Sequence, residues 1–82
     1  MLMTDVARTA REQLAGLTGH RDVSVIGVSN GEGEWVVTVE VCERKGIPDT
    51  MDLLGEYEVH LTEEGQLVNF TRMRMRKRGD AR

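Results

Sequence analysis

The sequence predicts an α+β domain in which one N-terminal helix packs on a four-stranded antiparallel β-meander. Two stretches of alternating residues, 35–42 and 56–62, predict the two central strands. A period of two with many β-branched residues is typical of half-buried strands. Apolar residues at helical spacing near the N-terminus predict the helix, and two glycine-containing connections predict hairpins. The 82 residues are enough for one domain.

The first predicted element is an amphipathic helix over residues 4–18, for which Thr4 or Asp5 is a suitable N-cap. Its apolar face consists of Val6, Ala10, Leu14 and Leu17. Gly19 can adopt the left-handed conformation that commonly ends a helix. Because an isolated helix of about 14 residues is only marginally stable, we expect the apolar face to pack on the sheet.

A first hairpin is predicted by the segment that follows the helix. The strand from residue 22 is rich in valine and isoleucine, and Gly27 interrupts its alternation, which indicates a β-bulge. Residues 30–33 read Asn-Gly-Glu-Gly and tolerate the positive φ of a tight turn. In the second strand we expect Trp35 in the core, because of its bulk, and Cys42 as a buried thiol without a disulfide partner.

Between the two central strands the chain must turn a corner, since Pro48 has no N–H to donate to a ladder. Asp49 or Thr50 is predicted to cap a short helix that continues through Leu54 and ends at Gly55. Asp49 and the nearby acidic residue at position 52 would then lie in its first turn, where negative charge is favourable.

The second tight connection is predicted at residues 62–65, which end in a glycine suited to a left-handed position. In the fourth strand the apolar residues change parity between Phe70 and Met73. A bulge at this point would bring the apolar side chains of the strand to one face. It would also point Arg72 and the arginines after it outward.

Charge is distributed unevenly along the chain. The net charge is −3, but residues 72–82 carry six basic residues against one acidic residue, and residues 1–71 carry 5 basic and 13 acidic residues. The acidic body therefore has a basic end. We predict that the end binds a partner through Arg72, Arg74, Arg76 and Arg78. The alternative is that these arginines pair with Glu40 and Glu58 across the sheet.

Neither catalysis nor cofactor binding is indicated by the sequence. Two histidines and one cysteine are too few for the usual zinc sites, and no phosphate-binding loop or nucleophile elbow is present. We therefore predict a protein that is not an enzyme, with no metal, cofactor or small-molecule substrate. No apolar run approaches the about 20 residues that cross a bilayer, and residues 1–5 lack the features of a signal peptide, so the predicted location is cytoplasmic.

Residues 35–76 also carry a family resemblance. The motifs are W-V-V-T-V-E-V-x-E from Trp35, I-P-D-T-x-D-L-L-x-x-Y-E-V-x-L from Ile47, then E-G-Q-L and T-R-M-R-M-R. In combination they resemble the gas vesicle protein O family of accessory proteins, over roughly residues 20–78. Met75 departs from the pattern at a position where an aromatic residue is expected.

The resemblance implies a non-catalytic accessory protein for gas vesicle assembly, associated with vesicles and acting through other gas vesicle proteins. It leaves open whether the chain is a scaffold or chaperone for the shell protein, an adaptor, or a regulator of vesicle genes. The alternative is a nucleic-acid-binding module that uses the basic strand, although one aromatic residue near the arginines offers little base stacking. We expect one domain over residues 1–78 and a flexible basic tail over residues 79–82.

Overall fold

A computed structural model describes residues 2–20 and 22–79. In chain order the elements are helix α1 (Met3–Thr18), strands β1 (Val23–Gly31) and β2 (Glu34–Arg44), a short 3₁₀-helix (Asp49–Met51), and strands β3 (Leu53–Thr62) and β4 (Leu67–Lys77). The strands form one antiparallel sheet in the order β1-β2-β3-β4. The predicted helix on a four-stranded meander is confirmed.

The core lies between α1 and one face of the sheet, which we call the helix side; the opposite face is the outer side. The buried cluster consists of Val6, Ala10, Leu14, Val37, Val39, Val41, Tyr57, Val59 and Leu61. Trp35 is partly buried and packs against this cluster, as its predicted core position requires. The alternation predicted for β2 and β3 therefore does place one side of each strand in the core.

Two details of the predicted helix are wrong. The N-cap is Leu2, which offers no side-chain hydrogen bond, so neither Thr4 nor Asp5 caps the helix. Leu17, one residue before the end of the helix, is 54% exposed and does not belong to the buried face. The predicted end is confirmed, since Gly19 has φ 77° and its N–H donates to the Ala15 carbonyl.

Both hairpins follow the predicted turn chemistry. The β1–β2 turn has positive φ at Glu32 and Gly33, and the β3–β4 turn has positive φ at Gly65. In β1 the pairing with β2 shifts between Val25 and Gly27, which confirms the bulge. Cys42 is a free thiol and is partly buried rather than fully buried.

The corner between β2 and β3 differs from the prediction. Its 3₁₀-helix is three residues long, and Leu54 belongs to β3, where it pairs with both neighbouring strands. Gly55 also lies within β3 and ends no helix. A Cβ atom on Gly55 would lie 2.5 Å from Oε2 of Glu43, so any other residue at this position would displace the end of that side chain.

Strand β4 contains two irregularities in its pairing with β3. One lies near Val68, and the other lies between Arg72 and Arg74, where Met73 is the extra residue. The predicted bulge is therefore present, but it follows Arg72 instead of preceding it. A shift of one residue reverses the side to which a strand residue points, so the position of this bulge decides where each arginine lies.

Candidate functional site

The four arginines predicted to bind a partner lie on more than one side of the sheet. Arg72 is paired in register with Tyr57 and so lies on the helix side, where its Nη1 group donates to both carboxylate oxygens of Glu43 at 3.2 Å. It does not share a face with the next two arginines. The expectation of one outward row from Arg72 to Arg76 is corrected by this register.

Arg74 and Arg76 lie on the outer side. Arg74 is opposite Glu56 and donates to it at 3.3 Å, and Arg76 donates to Glu40 at 2.7 Å. The predicted pairing with Glu40 is therefore present. The predicted pairing with Glu58 is replaced by the Arg74–Glu56 pair, and Glu58 binds a histidine instead.

Arg78, just beyond β4, closes the corner between β2 and β3. Its Nε donates to Oδ2 of Asp52 at 3.1 Å, and Oδ1 of the same carboxylate accepts the Gly46 N–H at 2.7 Å. The Gly46 hydrogen bond is the leading cause of a lowered pKa for Asp52. Asp52 is 2% exposed and stabilises the corner, so it is not a residue of a helical first turn.

The end of the described chain is also held at this corner. The Arg78 N–H donates to the Asp52 carbonyl at 2.9 Å, and the Gly79 N–H donates to the Thr50 carbonyl at 3.0 Å. Of the tail predicted for residues 79–82, Gly79 is therefore hydrogen-bonded. The remaining tail residues lie outside the described part of the chain.

In three of the four ion pairs the cation is far more exposed than its anion. The side chains of Arg72, Arg74 and Arg78 are 44–69% exposed, whereas their carboxylate partners are 3–14% exposed. In the fourth pair, Arg76 and Glu40 are similarly buried, at 20% and 17%. A molecule approaching these three pairs meets guanidinium groups, with the carboxylates beneath them.

Glu43 is the centre of a polar cluster that the sequence analysis did not find. Besides Arg72, its carboxylate accepts a 2.7 Å hydrogen bond from the Tyr57 hydroxyl, and His20 lies 3.9 Å away. Burial and the hydrogen bond to Glu43 raise the pKa of Tyr57. The signal in the sequence was Gly55 in an otherwise regular strand. A glycine in a strand often marks a position where another group packs closely against the backbone.

A second missed cluster lies on the outer side, around His60. Its Nδ1 atom contacts the Glu34 carboxylate, and its Nε2 atom lies 2.7 Å from Oε1 of Glu58. These hydrogen bonds, that to Glu34 first, raise the pKa of His60 above its ordinary value of 6.5. The register of β2 with β3 brings these residues together. Val36 lies directly opposite His60, and Glu34 lies two residues before Val36 on β2, within reach of the histidine.

This cluster predicts a pH-dependent stability. Because the pKa of His60 is higher in the folded chain than in the unfolded chain, the cluster stabilises the fold fully below about pH 6.5. The stabilisation is lost as the pH rises through the folded-state pKa. In urea unfolding between pH 6 and pH 9, the difference between the wild type and His60→Gln should shrink with rising pH. A variant with Glu34→Gln and Glu58→Gln should lack this component, and a difference independent of pH would contradict the assignment.

No group of three or more histidine, cysteine, aspartate or glutamate side chains within residues 2–20 and 22–79 is arranged to hold a metal ion. Every buried side-chain nitrogen or oxygen in that part of the chain has a hydrogen-bond partner. What the geometry offers chemically is a set of guanidinium groups, each held by a carboxylate. Guanidinium groups in this arrangement suit recognition of a second carboxylate or a phosphate.

Comparison with known proteins agrees with the motifs of the central strands. The family profile described as "Gas vesicle synthesis protein GvpO" matches residues 1–82. The chain belongs to this family. Gas vesicle protein O of a Streptomyces strain is 45% identical over 74 residues, which cover 90% of this chain and 58% of the relative.

Two archaeal relatives extend the comparison. Gas vesicle protein O1 of Halobacterium salinarum is 31% identical over 95% of this chain and 66% of its own length. Gas vesicle protein O of Haloferax mediterranei is 32% identical over 95% of this chain and 56% of its own length. The chain thus spans somewhat less than two thirds of the length of each of these GvpO relatives.

No solved structure matches this GvpO chain. Within the described residues, no helix has the length and apolar character needed to span a bilayer. The description of the family assigns it to gas vesicle synthesis and names no reaction.

Proposed function

We propose that this chain is a non-catalytic accessory protein for gas vesicle formation in the cytoplasm. It acts by binding other gas vesicle proteins, through the guanidinium groups of Arg72, Arg74, Arg76 and Arg78. Family membership supports the vesicle role. The observation that supports the binding role is the exposure of three of these arginines above nearly buried carboxylates.

The ion pairs favour binding because they hold the arginines in place before a partner arrives. An arginine fixed by a carboxylate loses less side-chain freedom when it binds a second acidic group. Pairs with an exposed member contribute only about 0–1 kcal/mol to folding, so stability alone is a weak reason for three of them on one strand and its end. The two interpretations of the arginines are therefore compatible, since Arg72, Arg74 and Arg78 each pair with a carboxylate and still present an exposed edge.

Charge reversal of two arginines tests the proposal. We expect the variant with Arg72→Glu and Arg74→Glu to lose capture of purified gas vesicle proteins and to stop vesicle formation in cells. The same positions changed to glutamine should weaken capture less, because no repulsion is added. Capture is measured by pull-down against each gas vesicle protein, and vesicles are measured by the loss of light scattering on pressure collapse.

The matched control is the variant with Arg8→Glu and Arg11→Glu, which changes the net charge by the same amount on exposed positions of α1. It should retain capture and vesicle formation. The glutamine variant also covers the case in which glutamate beside Glu43 unfolds the chain. Normal capture by folded forms of both β4 variants would disprove the binding role.

A salt titration separates this function from the alternative of nucleic-acid binding. Phosphate contacts release counterions, so binding to duplex DNA should weaken steeply as salt rises. We expect the affinity for DNA to be low at physiological salt and to be the same for duplexes of different sequence. High-affinity DNA binding that depends on Arg74 and Arg76, without capture of vesicle proteins, would favour the alternative.

A further inference from the structure

The β4 edge of the helix side is not covered by the helix. Helix α1 packs on β1 and β2 and touches β3, while β4 is an edge strand whose residues are mostly exposed. Beyond the helix, the exposed side chains facing this way are Phe70, Arg72 and Met75 of β4, as the pairing of β4 with β3 shows. We call these three residues the open strip.

The sheet is wide enough for a second helix beside α1. Strands lie about 4.8 Å apart, so four strands present a face of roughly 19 Å, whereas a helix with its side chains is about 10 Å across. A four-stranded sheet therefore accommodates two helices side by side. In the described chain only α1 occupies this face.

The chemistry of the open strip is apolar with one cation at its centre. Phe70 is 37% and Met75 is 41% exposed, and the Phe70 ring lies 6.2 Å from the Tyr57 ring. Between them Arg72 is about half exposed, with Nη1 turned down toward Glu43. Its outer edge can donate hydrogen bonds to a further carboxylate, because a guanidinium carries five N–H groups in a planar fork.

We propose that the open strip binds an amphipathic helix of another protein, with apolar residues against Phe70 and Met75 and a carboxylate on Arg72. This inference rests on the proposed function, since the helix would belong to a gas vesicle protein. It names the chemistry of the partner segment: apolar residues at helical spacing, bordered by aspartate or glutamate.

A second copy of this chain fits the open strip poorly. Helix α1 buries Val6, Ala10 and Leu14 in its own core, so the helix of a second copy has no buried-face residues left to place on the open strip. Two open strips packed face to face about a two-fold axis would bring Arg72 of one copy toward Arg72 of the other. Like-charge juxtaposition disfavours that second contact, and a separate acidic helix meets neither obstacle.

The test uses the purified 82-residue chain and synthetic peptides of about 18 residues, which form roughly five helical turns. One peptide carries leucine on one face and glutamate beside it, the second has lysine in place of glutamate, and the third scrambles the first. Binding is followed by NMR chemical shifts of the chain and by calorimetric titration. We expect the acidic helix to bind at least about tenfold more tightly than the other two, with shifts at the open strip.

Matched variants assign the binding to the strip. Arg72→Gln should lower the affinity for the acidic peptide by about fivefold to tenfold. Arg74→Gln, on the outer side of the same strand, should change this affinity by less than about twofold. Met75→Ser should weaken binding, and Ile26→Ser should not. Ile26 is a suitable control because it lies on the opposite edge strand with a similar exposure of 43%.

Several outcomes would overturn the inference. Equal binding of the three peptides, shifts confined to other surfaces, or a peptide that adds to β4 as a strand would each do so. Concentration-dependent dimerisation that Met75→Ser abolishes would show that a second copy occupies the strip. If none of the peptides binds but vesicle proteins are captured through Arg74, helix binding at the open strip is disproved and the proposed function stands. Peptide binding without any capture of vesicle proteins would support the strip and contradict the proposed function.

Discussion

Replacing Leu14 with alanine should lower the free energy of unfolding by about 2–5 kcal/mol. Leu14 is 1% exposed and belongs to the core between α1 and the sheet. The substitution removes buried methyl groups and leaves a cavity that a rigid sheet refills only in part. The change is measured by urea unfolding followed by circular dichroism and by the fluorescence of Trp35.

Leu17→Ala is the matched control in the same helix. Its side chain is 54% exposed, so we expect a loss of less than about 0.5 kcal/mol. The contrast tests the boundary of the core, which lies between these two leucines. Equal losses for the two variants would mean that the last turn of α1 packs more closely than the structure indicates.

Replacing Gly46 with alanine should destabilise the chain by about 1–3 kcal/mol through overpacking at the corner. An added Cβ atom would lie 2.5 Å from the carbonyl carbon and 2.7 Å from the carbonyl oxygen of Met51. Backbone atoms cannot swing aside as the end of a side chain does. The N–H of Gly46 also donates to Asp52, so any shift weakens the hydrogen bonds that close the corner.

Gly16→Ala is the same substitution at a position without obstruction. Nothing lies within 4 Å of the added Cβ atom, and the residue is inside α1. Alanine should therefore stabilise the helix, by up to about 1 kcal/mol. Opposite signs for the two glycine variants are the expected result in thermal or urea unfolding. A neutral Gly46→Ala would show that the corner relaxes without cost.

The corner and α1 show which structural features could be predicted from neighbouring residues alone. The signal at Gly19 was sufficient, because left-handed geometry at a helix end is a property of the local backbone. The signal at Thr4 and Asp5 was insufficient, because helix α1 begins one residue earlier than the spacing suggested. At the corner, Leu54 pairs with strands on both sides, and those distant hydrogen bonds override the short helix that the local residues allow.

The candidate site depended still more on distant contacts. The basic character of the last strand and the presence of a bulge were evident from composition and parity. Moving the bulge past Arg72 sends this arginine to the helix side, while Arg74 keeps the outer side. The pairing of His60 with Glu34, two residues that are 26 positions apart in sequence, depends on the register of β2 with β3.

The sequence by itself determined the elements, their order, both hairpins and the face of β2 and β3 that is buried. These features follow from periodicity and from glycine positions, which act within a few residues. The tertiary structure decided which carboxylate holds each arginine and that the β4 edge of the helix side remains open. The physical reason is that one extra residue in β4 reverses the direction of every side chain beyond it, and the pairing of β4 with β3 selects where that residue lies.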